Sequence, residues 1–513
     1  MNIEVILAFA AAALLFHTAI LILQWLRSPL RSIPGPLLAH FTDVWYFLRL
    51  KQGSFEKVNL SLHEKYGPIV RYGPNRYSIN DAEASKMIYG HGTQFPKSVW
   101  YSAFQPNEKM WNIFSDQSIK RHAYNRRLYT HAFSMTSLVS YEPYLDECGE
   151  IFSQRLLEFS KSGAPVDLGH WFQCFAFDAI AYVTYGKRFG FLDCGVDIGE
   201  VIKNLDNTIA YSTLAGIYPS FHRYIAPLLM SITSITGSNR IMYIMDFTQD
   251  RIMEERAFPK SVINCNNETG GAEVNETFLT KFLAKHSDGP DTFTNYHVLV
   301  GCATNMSAGS DTTGISLSAI FYYLLKDPDC LEKLRAEVRE FENRGELSRN
   351  PTFKEGQNMP YLQAVIKEAL RIHPAVGLPL ERVIPKGGAT MAGRFFPEGS
   401  VVGINSWVQH RNKALYGEDA EQFRPERWLI NDEERLAAMN RNWMPFGMGS
   451  RTCLGKNVSI LEMTKLVPRL VRDFEFKLEG NVSQVGSSWK TENAWFVKPR
   501  NFCVKMQPRK INN

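Results

Sequence analysis

A ten-residue segment near the C-terminus, FGMGSRTCLG, constrains this 513-residue chain more than any other feature. It runs from Phe446 to Gly455 and sets Cys453 among glycines, which allow turn conformations that are closed to residues with a Cβ atom. Phe, three Gly and Cys at these offsets should arise by chance in roughly 2 of 10⁴ chains of this composition. The segment therefore predicts a turn that presents a thiolate to a metal, and the alternative is an ordinary glycine-rich turn around a buried thiol.

A second cluster lies within a predicted helix from Thr294 to Leu325, where Ala, Gly, Ser, Asp, Thr and Thr follow one another from Ala308 to Thr313. Glycine weakens a helix, and Thr hydroxyls compete for backbone carbonyls, so we expect the helix to open locally here. Asp311 and Thr312 then place a carboxyl and a hydroxyl side by side, which suits proton transfer. The alternative is a helix rich in small residues that packs closely against a neighbour.

These motifs resemble those of the cytochrome P450 superfamily, whose cysteine loop reads Phe-Gly-x-Gly-x-Arg-x-Cys-x-Gly, and every fixed position of that pattern is filled here. The resemblance extends from Pro34 to the C-terminus, with four motifs in family order. It implies a mainly α fold with a small β lobe. The segment GTQFPKS, from Gly92 to Ser98, is most similar to fungal microsomal members of the pisatin demethylase-like group.

The resemblance also implies the residues of the oxygen-splitting centre. Cys453 is the expected axial ligand of haem iron, where a thiolate favours cleavage of an O–O bond, and Phe446 is expected to contact the haem. Asp311 and Thr312 are expected to relay protons to dioxygen.

The haem propionates require cations or hydrogen-bond donors, for which the resemblance indicates four residues. These are Arg451 in the cysteine loop, Arg382, and the pair His122 and Arg126 on one face of a predicted helix. His122 stands where the family usually has Trp, although an imidazole can still donate to a propionate. The alternative for the helix pair is surface basic residues.

A structural network is implied behind the haem. Glu368 and Arg371 form an i,i+3 pair on a predicted helix from Met359 to His373, and Arg427 follows in FRPERW, where Trp428 replaces the family's Phe. Buried charges persist only when they are paired, so we expect these three residues to fix the fold and not to take part in catalysis.

The implied function is a haem-thiolate monooxygenase that inserts one atom of O₂ into a lipophilic small molecule, by hydroxylation, oxidative demethylation or multistep oxidation. Fungal secondary-metabolite biosynthesis or detoxification is the expected setting. Two alternatives stay open: a thiolate-haem isomerase or dehydratase that needs no reductase, and a non-catalytic membrane haem sensor or carrier.

The electrons are expected from outside the chain, because no G-x-G-x-x-G lies between a strand and a helix. NADPH would then act through a cytochrome reductase, with a cytochrome b-type donor as an alternative. Five basic residues are expected to dock an acidic reductase, or else are ordinary exposed helix charges: Lys120, Arg121, Arg127, Arg441 and Lys456.

The resemblance implies that five segments face the substrate, and the alternative for each is plain core. They are Lys97 to Phe104, Tyr211 to Ile217, Asn305 to Ala308, Ala375 to Leu380, and Ser487 to Trp495.

The apolar run from Val5 to Leu23 would span roughly 28 Å as a helix, and basic residues follow it. We therefore expect a membrane anchor over residues 1–28, a proline-rich hinge over 29–40 and a catalytic domain over 41–513. The anchor indicates a single-pass protein of the endoplasmic reticulum membrane with a cytosolic catalytic domain. A net charge of +5 without a dense basic run argues against nucleic-acid binding.

Two predictions concern local structure. Alternating residues on both sides of Gly73-Pro74 indicate a hairpin of strands from Ile69 to Tyr72 and from Arg76 to Ile79. The apolar-poor segment from Pro259 to Asp291 indicates a mobile surface loop in its middle.

Overall fold

The computed structural model describes residues 12, 16, 18–105, 110–235, 243–258, 276–480 and 489–509. Within these ranges the chain is mainly helical. The α-helices are Val44–Lys51, Phe55–Tyr66, Ala82–Tyr89, Ile119–Thr130, Met135–Val139, Glu142–Ser162, Leu168–Tyr185, Phe191–Cys194, Val201–Ala215, Pro219–Ile235, Tyr243–Ala257, Phe278–Asp288, Asn295–Lys326, Pro328–Asn343, Phe353–Gln357, Pro360–Ile372, Ser406–Gln409, Lys413–Tyr416, Glu433–Asn442 and Lys456–Asp473. Short 3₁₀ helices are Leu37–His40, Val99–Phe104, His131–Phe133, Ile198–Glu200, Pro425–Trp428 and Gly449–Arg451.

The strands of the described residues form small sheets beside this helical body. They are β1 (Ile69–Gly73), β2 (Arg76–Ile79), β3 (Val166–Asp167), β4 (Arg382–Val383), β5 (Ala389–Met391), β6 (Arg394–Phe396), β7 (Val401–Gly403), β8 (Phe474–Leu478), β9 (Lys490–Ala494), β10 (Phe496–Arg500) and β11 (Cys503–Pro508). Their orders are β1-β2-β7-β4, β3-β11-β8, β5-β6 and β9-β10. β1 and β2 pair antiparallel with Ile69 opposite Ile79, which confirms the predicted hairpin.

The longest helix, Asn295–Lys326, is called the central helix below, and it packs along Leu168–Tyr185. The approach is close: a Cβ atom on Gly309, within the motif, would lie 3.0 Å from Ile180 Cγ1, and one on Gly314, directly after the motif, would lie 3.0 Å from Gln173 Cα. Packing of this kind is what the small residues of the motif allow.

The prediction that the central helix opens locally is wrong, because the helix is continuous through its Ser/Thr-rich motif. The hydroxyls of Ser310 and Ser316 donate to the carbonyls four residues earlier, at 2.9 and 2.8 Å, and Thr312 does the same at 2.8 Å. These bonds satisfy the hydroxyls within the helix, so the competition with the backbone does not break it.

The predicted membrane anchor lies largely outside the described residues, which are helical over 18–27. Among the described residues, we find no helix with the length and apolar character needed to cross a bilayer. The proline-rich segment that follows packs on the first sheet. Arg71 N donates to Pro34 O at 2.8 Å, and a Cβ atom on Gly35 would lie 2.2 Å from Arg71 O, so only glycine fits there.

The predicted surface loop between Pro259 and Asp291 falls partly outside the described residues, which exclude 259–275. Its later part forms the helix Phe278–Asp288, which begins with a capping box between Thr277 and Thr280.

Candidate active site

The cysteine loop is held by its own backbone and by the helix Ala82–Tyr89. Cys453 N donates to Phe446 O at 2.8 Å, which closes the turn. Gly449 has φ +58°, and a Cβ atom there would lie 1.8 Å from Tyr89 O. Only glycine therefore fits at this position, on steric as well as conformational grounds. Gly455 is different, because a Cβ atom there would approach only Cys453 Sγ, at 4.0 Å.

The exposed surface of Cys453 belongs to an internal cavity of about 300 Å³. Burial raises the pKa of the thiol, while the backbone N–H groups of Gly455 and Lys456 and the charge of Arg126 lower it. These two N–H groups lie at the start of the helix Lys456–Asp473, where the helix dipole also favours an anion. The N–H groups and the charge of Arg126 oppose the effect of burial, and the pKa of the thiol stays above its ordinary value.

The cavity collects most of the residues that the sequence proposed for the site. Seven of them line it: His122, Arg126, Thr312, Arg382, Phe446, Arg451 and Cys453. Among the described residues, Asp311, Glu368, Arg371 and Arg427 do not line it. Much of the remaining wall is apolar or aromatic, with Ile113, Phe114, Val300, Trp495 and Phe496 among its members.

One end of the cavity is cationic. Arg451 Nη1 donates to Asp116 O at 2.6 Å, but among the described residues Arg451 Nη2 is buried without a hydrogen-bond partner. Burial, together with the charge of Arg382, lowers the pKa of Arg451 to about 10. Burial and the charges of Arg451 and Arg126 lower the pKa of His122 to about 3, so this imidazole is neutral at physiological pH. Positive charge and an unpartnered buried donor make this part of the cavity suited to an anionic group.

Lys97 is a further cation at this end that the sequence analysis did not assign to the haem. Its Nζ lies 4.0 Å from the ring centroid of Tyr101 and donates to the carbonyl of Phe114. Burial and the charge of Arg382 hold its pKa well below the ordinary value. No spacing links Lys97 to the arginines in the sequence, and only the fold brings them together. Lys97, Arg126, Arg382 and Arg451 are called the cationic end below.

The residues fit a haem group. The cationic end, with its unpartnered Arg451 Nη2, suits two propionates, and Cys453 supplies a thiolate on the same cavity. The apolar walls suit a flat macrocycle.

Asp311 and Thr312 occupy different environments. Thr312 lines the cavity and its Oγ1 donates to Ala308 O. Asp311 is fully buried away from the cavity, where its carboxylate pairs with Lys498 Nζ at 2.7 Å and accepts from Gln173 Nε2 at 2.5 Å. A part for Asp311 in proton relay stays a prediction.

A buried carboxyl beside the cavity was not found from the sequence. Glu462 contacts Thr313, whose Oγ1 lies 2.6 Å from Ser459 Oγ, and both hydroxyl residues line the cavity. Burial raises the pKa of Glu462 to about 8, and the hydrogen bond with Thr313 opposes this. Nothing in the local sequence distinguishes Glu462 from a surface glutamate.

The structure brings Glu368, Arg371 and Arg427 into one buried network. Arg371 donates to both oxygens of Glu368 at 2.8 Å, and Arg427 Nε donates to Oε1 at 2.8 Å. Trp428 Nε1 donates to Oε2 at 2.9 Å, which the family's Phe could not do. Arg371 also donates to the carbonyl of His410, so this charged cluster is tied to the surrounding loop.

The predicted substrate segments and reductase-docking residues agree with the structure to different extents. Four of the five expected substrate segments contribute to the cavity wall, while none of its described lining residues comes from 211–217. All five basic residues proposed for reductase docking are exposed, and Arg121 is paired with Asp116 at 2.9 Å.

Comparison with known proteins gives a consistent result. The family model "Cytochrome P450" matches residues 34–505. The chain is 37% identical over 486 residues to pisatin demethylase of Fusarium vanettenii, covering 94% of this chain and 90% of that protein. It is 37% identical over 462 residues to a cytochrome P450 monooxygenase of Aspergillus terreus, covering 88% and 92%. It is 35% identical over 493 residues to cytochrome P450 monooxygenase cicH of Emericella nidulans, covering 94% and 95%. The chain therefore belongs to the cytochrome P450 family, within the pisatin demethylase-like group, and is a P450 monooxygenase.

Proposed function

We propose that this enzyme inserts one oxygen atom from O₂ into a lipophilic, aromatic small molecule of fungal secondary metabolism or detoxification, by hydroxylation, oxidative demethylation or successive oxidations. The observation that carries this proposal is a single cavity with Cys453 and Thr312 in its wall, in an otherwise largely apolar and aromatic lining. Demethylation is among the proposed reactions because a similar protein is named pisatin demethylase.

When bound, haem supplies the activation of O₂ and the oxidation of the substrate. Cys453 would hold the iron through its sulfur, and the N–H groups that face this sulfur would tune how strongly it donates electrons. The cationic end and His122 would hold the propionates.

Thr312 is proposed to handle a proton in the cavity. Because its hydroxyl donates to Ala308 O, its oxygen lone pairs are free to accept a hydrogen bond from water or from a reacting hydroxyl group. A water that donates to Oγ1 would be oriented in the cavity and placed to pass on its other proton.

The aromatic wall supports the proposed substrate class. Trp495 lies 5.0 Å from Trp100 between ring centroids and 5.7 Å from Phe114, so the cavity is bordered by a rigid cluster of rings. Such a wall favours flat, uncharged molecules, because rings pack well against it and a charge would lose hydration.

The electron source and the location belong to the same proposal. An external NADPH-cytochrome reductase, or a cytochrome b-type donor, binds near the exposed Lys120, Arg127, Arg441 and Lys456. An N-terminal anchor places the enzyme in the endoplasmic reticulum membrane with its catalytic domain in the cytosol.

The reduced carbon monoxide spectrum tests the ligand. We expect the red-shifted band typical of a thiolate ligand in folded wild-type protein and its loss in Cys453→Ser. A normal band in Cys453→Ser overturns the assignment.

Two measurements of turnover separate the alternative functions. Dependence of product formation on reductant and O₂ separates a monooxygenase from a thiolate-haem isomerase. Absence of any turnover across a panel of lipophilic aromatic compounds indicates a haem sensor or carrier.

A further inference from the structure

The carboxylate of Asp311 is enclosed by protein. Its side chain is 0% exposed, and its described partners are Lys498 Nζ at 2.7 Å and Gln173 Nε2 at 2.5 Å. Burial raises the pKa of Asp311 and the lysine charge lowers it. The ion pair with Lys498 is therefore the main interaction that opposes the effect of burial and favours the carboxylate form.

Lys498 has a second carboxylate partner. Its Nζ also pairs with Asp206, which belongs to the helix Val201–Ala215. The lysine side chain is only 12% exposed. Burial lowers its pKa, but the charges of Asp311 and Asp206 outweigh this and raise the pKa above the ordinary value. One buried ammonium group thus joins β10, the central helix and Val201–Ala215.

The strand that carries Lys498 begins in the cavity wall. Phe496 is its first residue and lines the cavity, as does the preceding Trp495. Trp495 has φ +84°, a conformation that is costly for a bulky residue and is held by its packing against Trp100 at 5.0 Å. The position of β10, and hence of the ammonium group, is therefore fixed by the same wall that meets the substrate.

We propose that Lys498 is a positioning residue for Asp311, pairing with its carboxylate and orienting it behind Thr312, with Asp206 as the second anchor of the lysine. This inference rests on the proposed function, because it gives Asp311 a part in protonation during oxygen insertion. Lys498 itself does not line the cavity among its described wall residues, so it acts through Asp311.

The test uses full-length haem-loaded enzyme with reductase and measures the fraction of consumed NADPH recovered as product. Lys498→Met alone leaves the buried Asp311 without a cation and removes the nearest cation from Asp206, so its failure to fold would be ambiguous. We therefore compare D206N with D206N/K498M, since the double variant has the same net charge at this cluster as the wild type. Lys498→Arg is the conservative variant.

We expect the coupled fraction to fall at least fivefold from D206N to D206N/K498M, and K498R to stay within twofold of the wild type. If Lys498 acts through Asp311, adding K498M to D206N/D311N changes the coupled fraction less than twofold. The proposal is overturned if K498M lowers the coupled fraction as much in the D206N/D311N background as in D206N. It is also overturned if K498M leaves the coupled fraction of D206N unchanged.

Two further measurements separate this proposal from the proposed function. Hydrogen–deuterium exchange of residues 201–215 reports whether the ion pair between Lys498 and Asp206 stabilises this helix, and it requires no turnover. We expect faster exchange in D206N/K498M, whereas Arg500→Met stays near the wild type, because Arg500 is 42% exposed and lies 3.5 Å from Asp206 without contacting Asp311. Unchanged exchange in D206N/K498M refutes a stabilising ion pair between Lys498 and Asp206. A wild type that forms no oxygenated product refutes the proposed function, whatever the exchange shows.

Discussion

Asp311 and Thr312 are consecutive residues of the central helix, but only Thr312 lines the cavity, whereas Asp311 is ion-paired with Lys498 behind it. The sequence motif presents them as one acid–alcohol pair. The fold divides them into a hydroxyl that meets the reacting molecules and a carboxylate that is held by protein.

Replacement of Thr312 by Ala tests its part in handling the proton. Without the hydroxyl, we expect NADPH consumption to continue while the yield of product per NADPH falls about tenfold and hydrogen peroxide rises correspondingly. Ser318→Ala is the matched control, because Ser318 makes the same bond to the carbonyl four residues earlier, at 2.7 Å, and is not among the described cavity-lining residues. Equal coupling in T312A and the wild type would remove Thr312 from the mechanism.

Replacement of Arg451 by Met tests the cationic end. Loss of its charge-assisted hydrogen bonds should weaken haem retention by roughly 10-fold or more, which corresponds to about 1.5–3 kcal/mol. The measurement is the haem-to-protein ratio after purification and the rate of haem transfer to apomyoglobin. Arg121→Met provides the comparison, since Arg121 pairs with the same Asp116 from an exposed position. Similar haem loss from both variants would contradict the assignment.

Trp428 should contribute more to stability than the Phe usual in the family. Its Nε1 donates to the buried carboxylate of Glu368, and hydrogen bonds to charged groups contribute about 1.5–3 kcal/mol. We expect Trp428→Phe to lower the free energy of unfolding in urea by an amount in this range. Trp443→Phe serves as control, because Trp443 donates to the neutral carbonyl of Lys367 at 3.0 Å and should cost about 0.5–1.5 kcal/mol. The reverse order would refute this explanation.

Glu462 should make stability depend on pH. Its pKa is raised to about 8 in the folded protein, above the 4.5 of a free glutamate, so the folded state binds more protons between these values. Stability from this group is then present below about pH 4.5 and lost as the pH rises toward 8, by up to about 1.4 kcal/mol per pH unit. Glu462→Gln should flatten the slope of unfolding free energy against pH from 5 to 8. Glu398→Gln, at an exposed site, should keep the wild-type slope.

The local features of this chain follow from its sequence because local rules determine them. The sequence predicts the helix with Glu368 and Arg371 over Met359 to His373, and the helix is observed at Pro360–Ile372 with a proline at its first position. The turn around Cys453 likewise depends on glycines within the loop. The direction in which the Asp311 side chain points does not follow from the local sequence, because its partner Lys498 lies far along the chain on β10.

Residues whose character comes from burial escaped the sequence analysis for the same reason. Lys97, Glu462 and Lys498 are ordinary charged residues by spacing. Only the packing of distant segments makes them a cavity-lining lysine, a carboxyl with a raised pKa and a buried ion-pair partner of two carboxylates. The prediction of a local opening in the central helix is wrong for a different reason. Propensity overestimates the competition from Ser and Thr hydroxyls where the helix is packed tightly.

The residues that line the cavity come from segments between Lys97 and Phe496. Only glycine fits at position 449, because the loop there lies directly against the carbonyl of Tyr89. Segments that lie far apart in the sequence must therefore meet before this cavity exists. A nascent polypeptide cannot complete the wall until Trp495 and Phe496 have been synthesised. A product that terminates before β10 therefore lacks this part of the cavity wall.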